Sequence, residues 1–262
     1  MFDIHYHLIF GVDDGPKTIE ASLELAEASI AEGVTHVVAT PHSSYKYRYQ
    51  AEVNQERLAT LNERLKGRLT LGLGCDFHLS YDNIAELEKS PKTFTVNGSN
   101  YLLVEFPDYI NTLTYADVFF RVMSLGIIPI ITHPERNPTL LQSPTPIIEW
   151  VHSGCLVQVT AASLAGKFGA RAETLSRLLL KGNYVHVVAS DAHNVGSRAP
   201  AMSSAFHVLK KDFGKETAER LCIHNPSAIF FGEPMPEQPE AFGPLYERRP
   251  PPKKGFLRRL FG

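Results

Sequence analysis

Histidines and carboxylates recur along this chain directly after short apolar runs. His5-Tyr6-His7 follows the first. Thr40-Pro41-His42, Cys75-Asp76, Val104-Glu105, Thr132-His133 and Ser190-Asp191-Ala192-His193 follow later ones. His5 and His7 lie one residue apart on an extended segment, where alternate side chains share a face, so both can grip one ion. Imidazole suits first-row transition metals, and carboxylate suits harder ions. With Asp14, the candidates are His5, His7, Asp14, His42, Asp76, Glu105, His133, Asp191 and His193. That is more than one tetrahedral ion uses. The excess implies two or three divalent ions sharing at least one carboxylate, and Glu105, which ends a strand in mid-chain, is the expected bridge.

A lone strand-end histidine is more often a packed or hydrogen-bonded residue than a ligand. Here that explanation would have to hold separately at five places. It is the better one elsewhere: His36 and His186 precede or enter strands and should pack or cap, and His152, His207 and His224 lie on polar helices. His78, beside Asp76, fits either role. So do Asp13 and Asp14, of which one could cap the next helix while the other reaches a metal.

Strands alternating with helices must position these groups. Short strands are read at 1–4, 37–39, 69–77, 101–106, 127–132, 156–160 and 185–190. Helices are read at 18–32, 52–66, 115–125, 147–153 and near 170–181. Gly33, Gly126 and Gly154 serve as helix stops. Alternation at this spacing predicts parallel strands with crossover helices. Seven principal strands point to a closed or nearly closed barrel, with an open doubly wound sheet as the alternative. A barrel gathers ligands from many strand ends at one rim.

The bulk numbers agree. The chain has 262 residues, 44% of them hydrophobic and 21% charged, with a formal net charge of -2. This is a globular composition, and no global charge argues for nucleic acid. The three cysteines, Cys75, Cys155 and Cys222, form no CxxC pair and no disulfide framework, which fits a reducing cytoplasm. The first residues carry no signal-peptide pattern, and no apolar run reaches the ~20 residues of a membrane span. After Phe231 the character changes. Residues 232–252 read as a proline-rich linker. The final Lys253-Lys254-Gly255-Phe256-Leu257-Arg258-Arg259-Leu260-Phe261-Gly262 reads as a short basic amphipathic tail, suited to weak contact with an anionic membrane surface or to a solubilising role.

The stretch His5-Tyr6-His7-Leu8-Ile9-Phe10-Gly11-Val12-Asp13-Asp14-Gly15-Pro16-Lys17-Thr18 resembles the opening motif of the bacterial polymerase-and-histidinol-phosphatase (PHP) type tyrosine phosphatases. Thr40-Pro41-His42, Val104-Glu105-Phe106, Thr132-His133-Pro134-Glu135-Arg136, Ser190-Asp191-Ala192-His193-Asn194 and Ser197-Arg198 extend the resemblance. It covers about residues 1–229, so that 1–231 would be a PHP phosphatase unit and 232–262 linker and tail. It implies an α/β fold, a distorted seven-stranded (β/α) TIM-like barrel, and a trinuclear site usually served by manganese. It also implies phosphotyrosine-protein phosphatase activity toward a membrane-associated tyrosine autokinase of capsule or exopolysaccharide export. Iron and zinc suit the same donors. The chain departs from the family pattern at Asp76, where Glu is common.

In that chemistry, clustered ions bring the pKa of a bound water toward neutrality and present hydroxide to phosphorus. Arg136 and Arg198 follow ligand positions closely, and the resemblance assigns both to the substrate phosphate, which guanidinium binds in a fork. A phenol leaving group, with a pKa of about 10, needs little acid assistance, and Asp14 or a water is the expected donor. A covalent cysteine route is disfavoured, because the positions six residues after the cysteines hold Tyr81, Ala161 and Ala228 rather than Arg. The loop Ser43-Ser44-Tyr45-Lys46-Tyr47-Arg48-Tyr49 should overhang the rim. The rival readings are a histidinol-phosphate phosphatase or nucleic-acid phosphoesterase on the same scaffold, a metal-dependent amidohydrolase, and a noncatalytic docking module.

Overall fold

The computed structural model describes residues 1–243; the expected tail at 253–262 lies outside the described residues. In chain order the elements are β1 (Phe2–Tyr6), α1 (Ile19–Ala31), β2 (His36–Ala39), β3 (His42–Ser43), α2 (Ala51–Leu65), β4 (Thr70–Leu73), β5 (Asp76–His78), α3 (Tyr81–Lys89), β6 (Tyr101–Glu105) and α4 (Thr112–Ser124). Then come β7 (Ile128–Thr132), α5 (Pro138–Gln142), α6 (Thr145–His152), β8 (Leu156–Thr160), α7 (Ala170–Lys181), β9 (Val187–Ala189), α8 (Met202–Phe213), α9 (Lys215–Glu219) and α10 (Asn225–Phe231). Every strand pair is parallel. Parallel strands need crossovers, and the helices that supply them cover the sheet, which is why β1 and β8 are buried along their whole length.

One continuous ring of seven strands is not what the ladders form. There are two sheets, β1-β2-β4 and β3-β5-β6-β7-β8-β9. The reading at 69–77 merged two strands, and β3 was not foreseen. The break between β2 and β3 falls at Thr40-Pro41, where Pro41 has no N–H to give a ladder. The break between β4 and β5 falls alongside it at Gly74-Cys75. A Cβ on Gly74 would come within 3.1 Å of Val38 Cγ1, so the two bends nest closely. Single bonds bridge the bends: Gly74 N–H donates to Ala39 O (2.8 Å) and Asp76 N–H to Pro41 O (3.2 Å). On the other side β1 meets the segment after β9 through an isolated Tyr6–Ala192 bridge, with Asp191 N–H donating to His5 O and His7 N–H to Ala192 O, both at 2.9 Å.

Where the strands begin, Phe2, Ile4, Val38, Tyr101, Leu103, Ile130, Leu156 and Val187 pack with Ile229 and Phe230 of α10. The alternate residues of β6, Leu102 and Val104, join the larger cluster that takes in Leu25 of α1, Phe119 of α4 and Leu179 of α7. Period-two alternation thus feeds two apolar layers. Residues 233–243 form no helix or strand but are pinned across this end. Tyr101 Oη donates to Glu233 O (2.7 Å), Asn183 Nδ2 to Glu240 O (3.0 Å), and Tyr184 Oη to Gly243 O (2.9 Å). Gln238 exchanges two side-chain bonds with Asn225. No helix among the described residues is long and apolar enough to cross a membrane.

Candidate metal centre

β1 carries one residue more than its neighbour. Asp3 stands opposite Val37 and Tyr6 opposite Ala39, so three steps in β1 match two in β2. Such a bulge re-aims side chains. Ile4 faces the apolar cluster with Leu103 and Ile130, whereas Tyr6, two residues on, turns to α1 and donates its hydroxyl to Leu25 O (2.9 Å). His5 and His7 share the remaining direction, toward the ends of the other strands.

All nine expected side chains meet there. Four overlapping groups have ligand atoms within 4.8 Å of one another: His7, Asp14, His42 and His193; His5, His7 and Asp76; His5, His133 and Asp191; and His42, Asp76 and Glu105. Shared members join these into one cluster. Asp76, despite its short arm, comes within 3.4 Å of His5 Nε2 and 3.1 Å of His42 Nδ1. Glu105 lies between His42 Nδ1 (3.6 Å) and His133 Nε2 (3.7 Å). Asp191 Oδ1 stands 3.4 Å from both His5 Nε2 and His7 Nε2.

The outer ring nitrogens are fixed by different partners. His7 Nδ1 meets Asp13 Oδ2 at 2.7 Å, and His5 Nδ1 meets Gln158 Oε1 at 2.9 Å. Each contact turns Nε2 inward, as metal-binding histidines are usually held. Asp13 also accepts from Gly15 N–H (2.9 Å) and His42 N–H (3.2 Å), and so ties three ligand-bearing segments together. It does not cap α1, a task that falls to the Thr18 hydroxyl. Gly15 has to be glycine, because a Cβ would sit 2.7 Å from His7 O.

The inward atoms are unfinished. His5 Nε2, His7 Nε2, His42 Nδ1, both oxygens of Asp76, Asp191 Oδ1 and His193 Nε2 are buried with no hydrogen-bond partner. Each such atom costs about 1–3 kcal/mol, and a native fold rarely tolerates several side by side. Divalent cations would satisfy all of them at once, so the donor set fits a metal cluster. The backbone is strained in the same place: His133 (φ 34°) and Asp191 (φ 53°) are left-handed, a conformation rare outside glycine.

Electrostatics follow from this crowding. Burial disfavours a charged His5, but Asp76 and Asp191 outweigh it and hold the ring's pKa at about 9. At His42 burial is likewise outweighed by Asp14 and Asp76, giving about 11. Burial and then the charge of Asp76 raise Glu105 to about 8. Burial lowers His133, with Arg136 adding to it, and lowers His193 to about 4, with His7 adding to it. His193 and then His42 hold Asp14 far below the ordinary carboxylate range, which suits a ligand better than the proton donor expected above.

Arg136 follows His133 in the 3₁₀ turn Pro134–Arg136, and its Nη1 donates to Asp191 Oδ2. Arg198 Nη2 donates to the same oxygen (2.5 Å). A cavity of about 110 Å³ is lined by Arg136 together with Glu105, Phe106, Asp108, His133 and Asn137. From the aromatic loop, Tyr47 stacks on His42 (5.8 Å between centroids, 10° between planes), while Tyr45 points into solvent. His36 stacks on Phe2, and His186 Nδ1 accepts from Val157 N–H, so both pack as expected. All three cysteines are buried thiols.

Reading the sequence missed Gln158 and Glu135. A glutamine inside the strand LVQVT and a glutamate in the His-Pro-Glu-Arg run were the available signals. Buried Glu135 Oε1 accepts from Thr160 N–H (2.9 Å) and Ser163 Oγ (2.7 Å).

A family model described as capsular polysaccharide synthesis, CpsB/CapC, matches residues 1–231. The chain belongs to the CpsB/CapC family. CapC of Staphylococcus aureus is 36% identical over 217 residues, which are 80% of this chain and 84% of that protein. YwqE of Bacillus subtilis (strain 168), named a tyrosine-protein phosphatase, is 33% identical over 267 residues, covering 100% of this chain and 99% of its own. A solved structure from a study of YwqE and of CpsB from Streptococcus pneumoniae, described as unique metal-dependent tyrosine phosphatases, overlays with a TM-score of 0.85. It is 31% identical and covers 93% of this chain and 100% of that chain. The CpsB/CapC match ends where α10 ends, ahead of the pinned segment.

Proposed function

We propose that this CpsB/CapC chain is a metal-dependent protein-tyrosine phosphatase, acting on phosphotyrosine of a membrane-associated tyrosine autokinase of capsule or exopolysaccharide export. The observation that carries the reading is the buried set of inward, unpartnered His and Asp atoms at one rim, in a chain whose relatives bear that activity in their names. His5, His7, Asp14, His42, Asp76, Glu105, His133, Asp191 and His193 hold two or three divalent ions, with manganese the expected occupant and iron or zinc acceptable to the same donors. When bound, the ions neutralise phosphate oxygens and acidify a water for attack on phosphorus. Asp13 and Gln158 keep the His7 and His5 rings oriented for that task. Asp191 anchors Arg136 and Arg198 by one edge each, which leaves their other N–H donors for the phosphate. Phosphoryl transfer asks for little beyond this positioning and charge compensation. A phenolate leaves readily, so no strong acid is required of the protein.

We read the nine strands as seven, β2 with β3 and β4 with β5 each being one bent strand, so that the sheets together form a distorted barrel closed at Tyr6–Ala192. Residues 1–231 are the phosphatase unit. A cytoplasmic location, with the tail giving weak contact to the inner membrane face, completes the proposal. Turnover of a phosphotyrosine peptide, histidinol phosphate and single-stranded DNA by the manganese-loaded chain tests it. The peptide should be preferred by at least about tenfold, a 1.4 kcal/mol difference; preference for either of the others would contradict the assignment.

A further inference from the structure

The Arg136 guanidinium is bounded on two sides. Its Nη1 edge is held by Asp191, and its Cζ lies over the face of the Phe168 ring, 4.4 Å from the centroid. Phe168 is 36% exposed, on the turn that follows β8. Gly166 (φ +71°) and Gly169 (φ +89°) bracket it, both in backbone conformations that favour glycine. The same two loops are joined beneath by the buried Glu135, which reaches from the Arg136 turn to Thr160 N–H and Ser163 Oγ. The loops after β7 and β8 are therefore clamped twice, by a carboxylate below and by a ring above.

A ring on the face of a guanidinium attracts it without taking any of its donors, because all five N–H groups lie in the guanidinium plane. Asp191 fixes one edge, the ring fixes the plane, and the remaining edge is free to fork onto a phosphoryl group. A flexible arginine would otherwise lose side-chain entropy each time it bound.

We infer that Phe168 is a positioning residue that holds Arg136 in the orientation that receives a tetrahedral oxyanion. The identity of the phosphoester rests on the phosphatase reading; the anion-binding role does not. The test uses the full manganese-loaded chain with Phe168→Ala, Phe168→Leu and Phe168→Tyr, alone and combined with Arg136→Ala. The measurements are metal content, inhibition by inorganic phosphate, and kcat and KM on p-nitrophenyl phosphate and on a phosphotyrosine peptide.

Phe168→Ala should leave metal content unchanged, weaken phosphate binding and lower kcat/KM on both substrates by about fivefold each, the upper range of an exposed cation–π contact. Phe168→Tyr should stay within about twofold of the parent and Phe168→Leu should fall between, because leucine keeps bulk without the ring quadrupole. In the Arg136→Ala background Phe168→Ala should add almost nothing. Unchanged phosphate inhibition, lost metal, or an undiminished effect without Arg136 would overturn the inference. If Phe168→Ala fails to fold, Phe168→Leu carries the same readings. If the parent hydrolyses no phosphotyrosine yet Phe168→Ala still weakens phosphate binding, the phosphatase reading fails and the role of Phe168 stands.

Discussion

Where the strands begin, Phe2, Tyr101, Leu156 and Val187 pack under Ile229 and Phe230, and the segment 233–243 is hydrogen-bonded across them. Where the strands finish, imidazoles and carboxylates face one another with bare inward atoms, beside two left-handed residues. The first end gains free energy by burying apolar area; the second spends it on unsatisfied polar groups. The rim can stay strained because the base and the helical layer hold the strands in place. Stability and chemistry should therefore separate by position, and substitutions at the two ends should have opposite signatures.

The largest separation is expected from His5→Ala combined with His7→Ala. Metal loading should be lost and turnover should fall by at least about 10³-fold, the several kcal/mol of transition-state stabilisation that metal ions supply. Elemental analysis and phosphatase assay check this, and full activity would reject the site. Phe230→Ala should do the reverse. It should lose about 3 kcal/mol of stability by emptying the base, while activity per folded molecule stays at the parent level; a large fall in kcat would break the comparison. Arg136→Ala should raise KM and lower kcat, costing about 10²-fold in kcat/KM with metal content intact. Lost metal would mean that Arg136 supports the ligands rather than the substrate.

The smallest effect is one of pH. In the metal-free chain the facing carboxylates outweigh burial and push His5 up to about 9 and His42 up to about 11, so both rings carry a proton at neutrality. A ligating nitrogen must be bare, so metal loading should release protons and the apparent affinity should rise with pH. A folded pKa raised above the ordinary value means that the charged His5 stabilises the metal-free chain fully below about 6.5 and progressively less as pH rises through about 9. Metal titrations in buffers of different ionisation heat check the first point, and melting of chelated protein across that window checks the second.

Most of the candidate ligands stood out because they close apolar runs, and strand ends converge in a parallel fold; Asp14, in the loop after His7, is at no strand end. What stayed hidden depended on distant partners. The ladder breaks at Thr40-Pro41 and Gly74-Cys75 arise from nesting between neighbours rather than from local propensity. The extra residue in β1 is visible only in its register against β2. Asp13 and Asp14 are equivalent in sequence; only the proximity of His7 Nδ1 to one, and of His42 and His193 to the other, separates them. Residues 202–231 were read only as polar helices carrying His207 and His224; in the fold Met202, Ala205 and Leu209 of α8 join the larger cluster, and Ile229 and Phe230 of α10 cover the base. The linker reading overlooked Gln238, whose partner Asn225 lies back in α10.

The most direct measurement is the number of divalent ions per chain, taken with activity before and after chelation. Two or three ions, activity lost on their removal and regained when manganese is returned, is the expected result. A chain that keeps full phosphotyrosine hydrolysis with less than one ion bound would contradict the account at its centre.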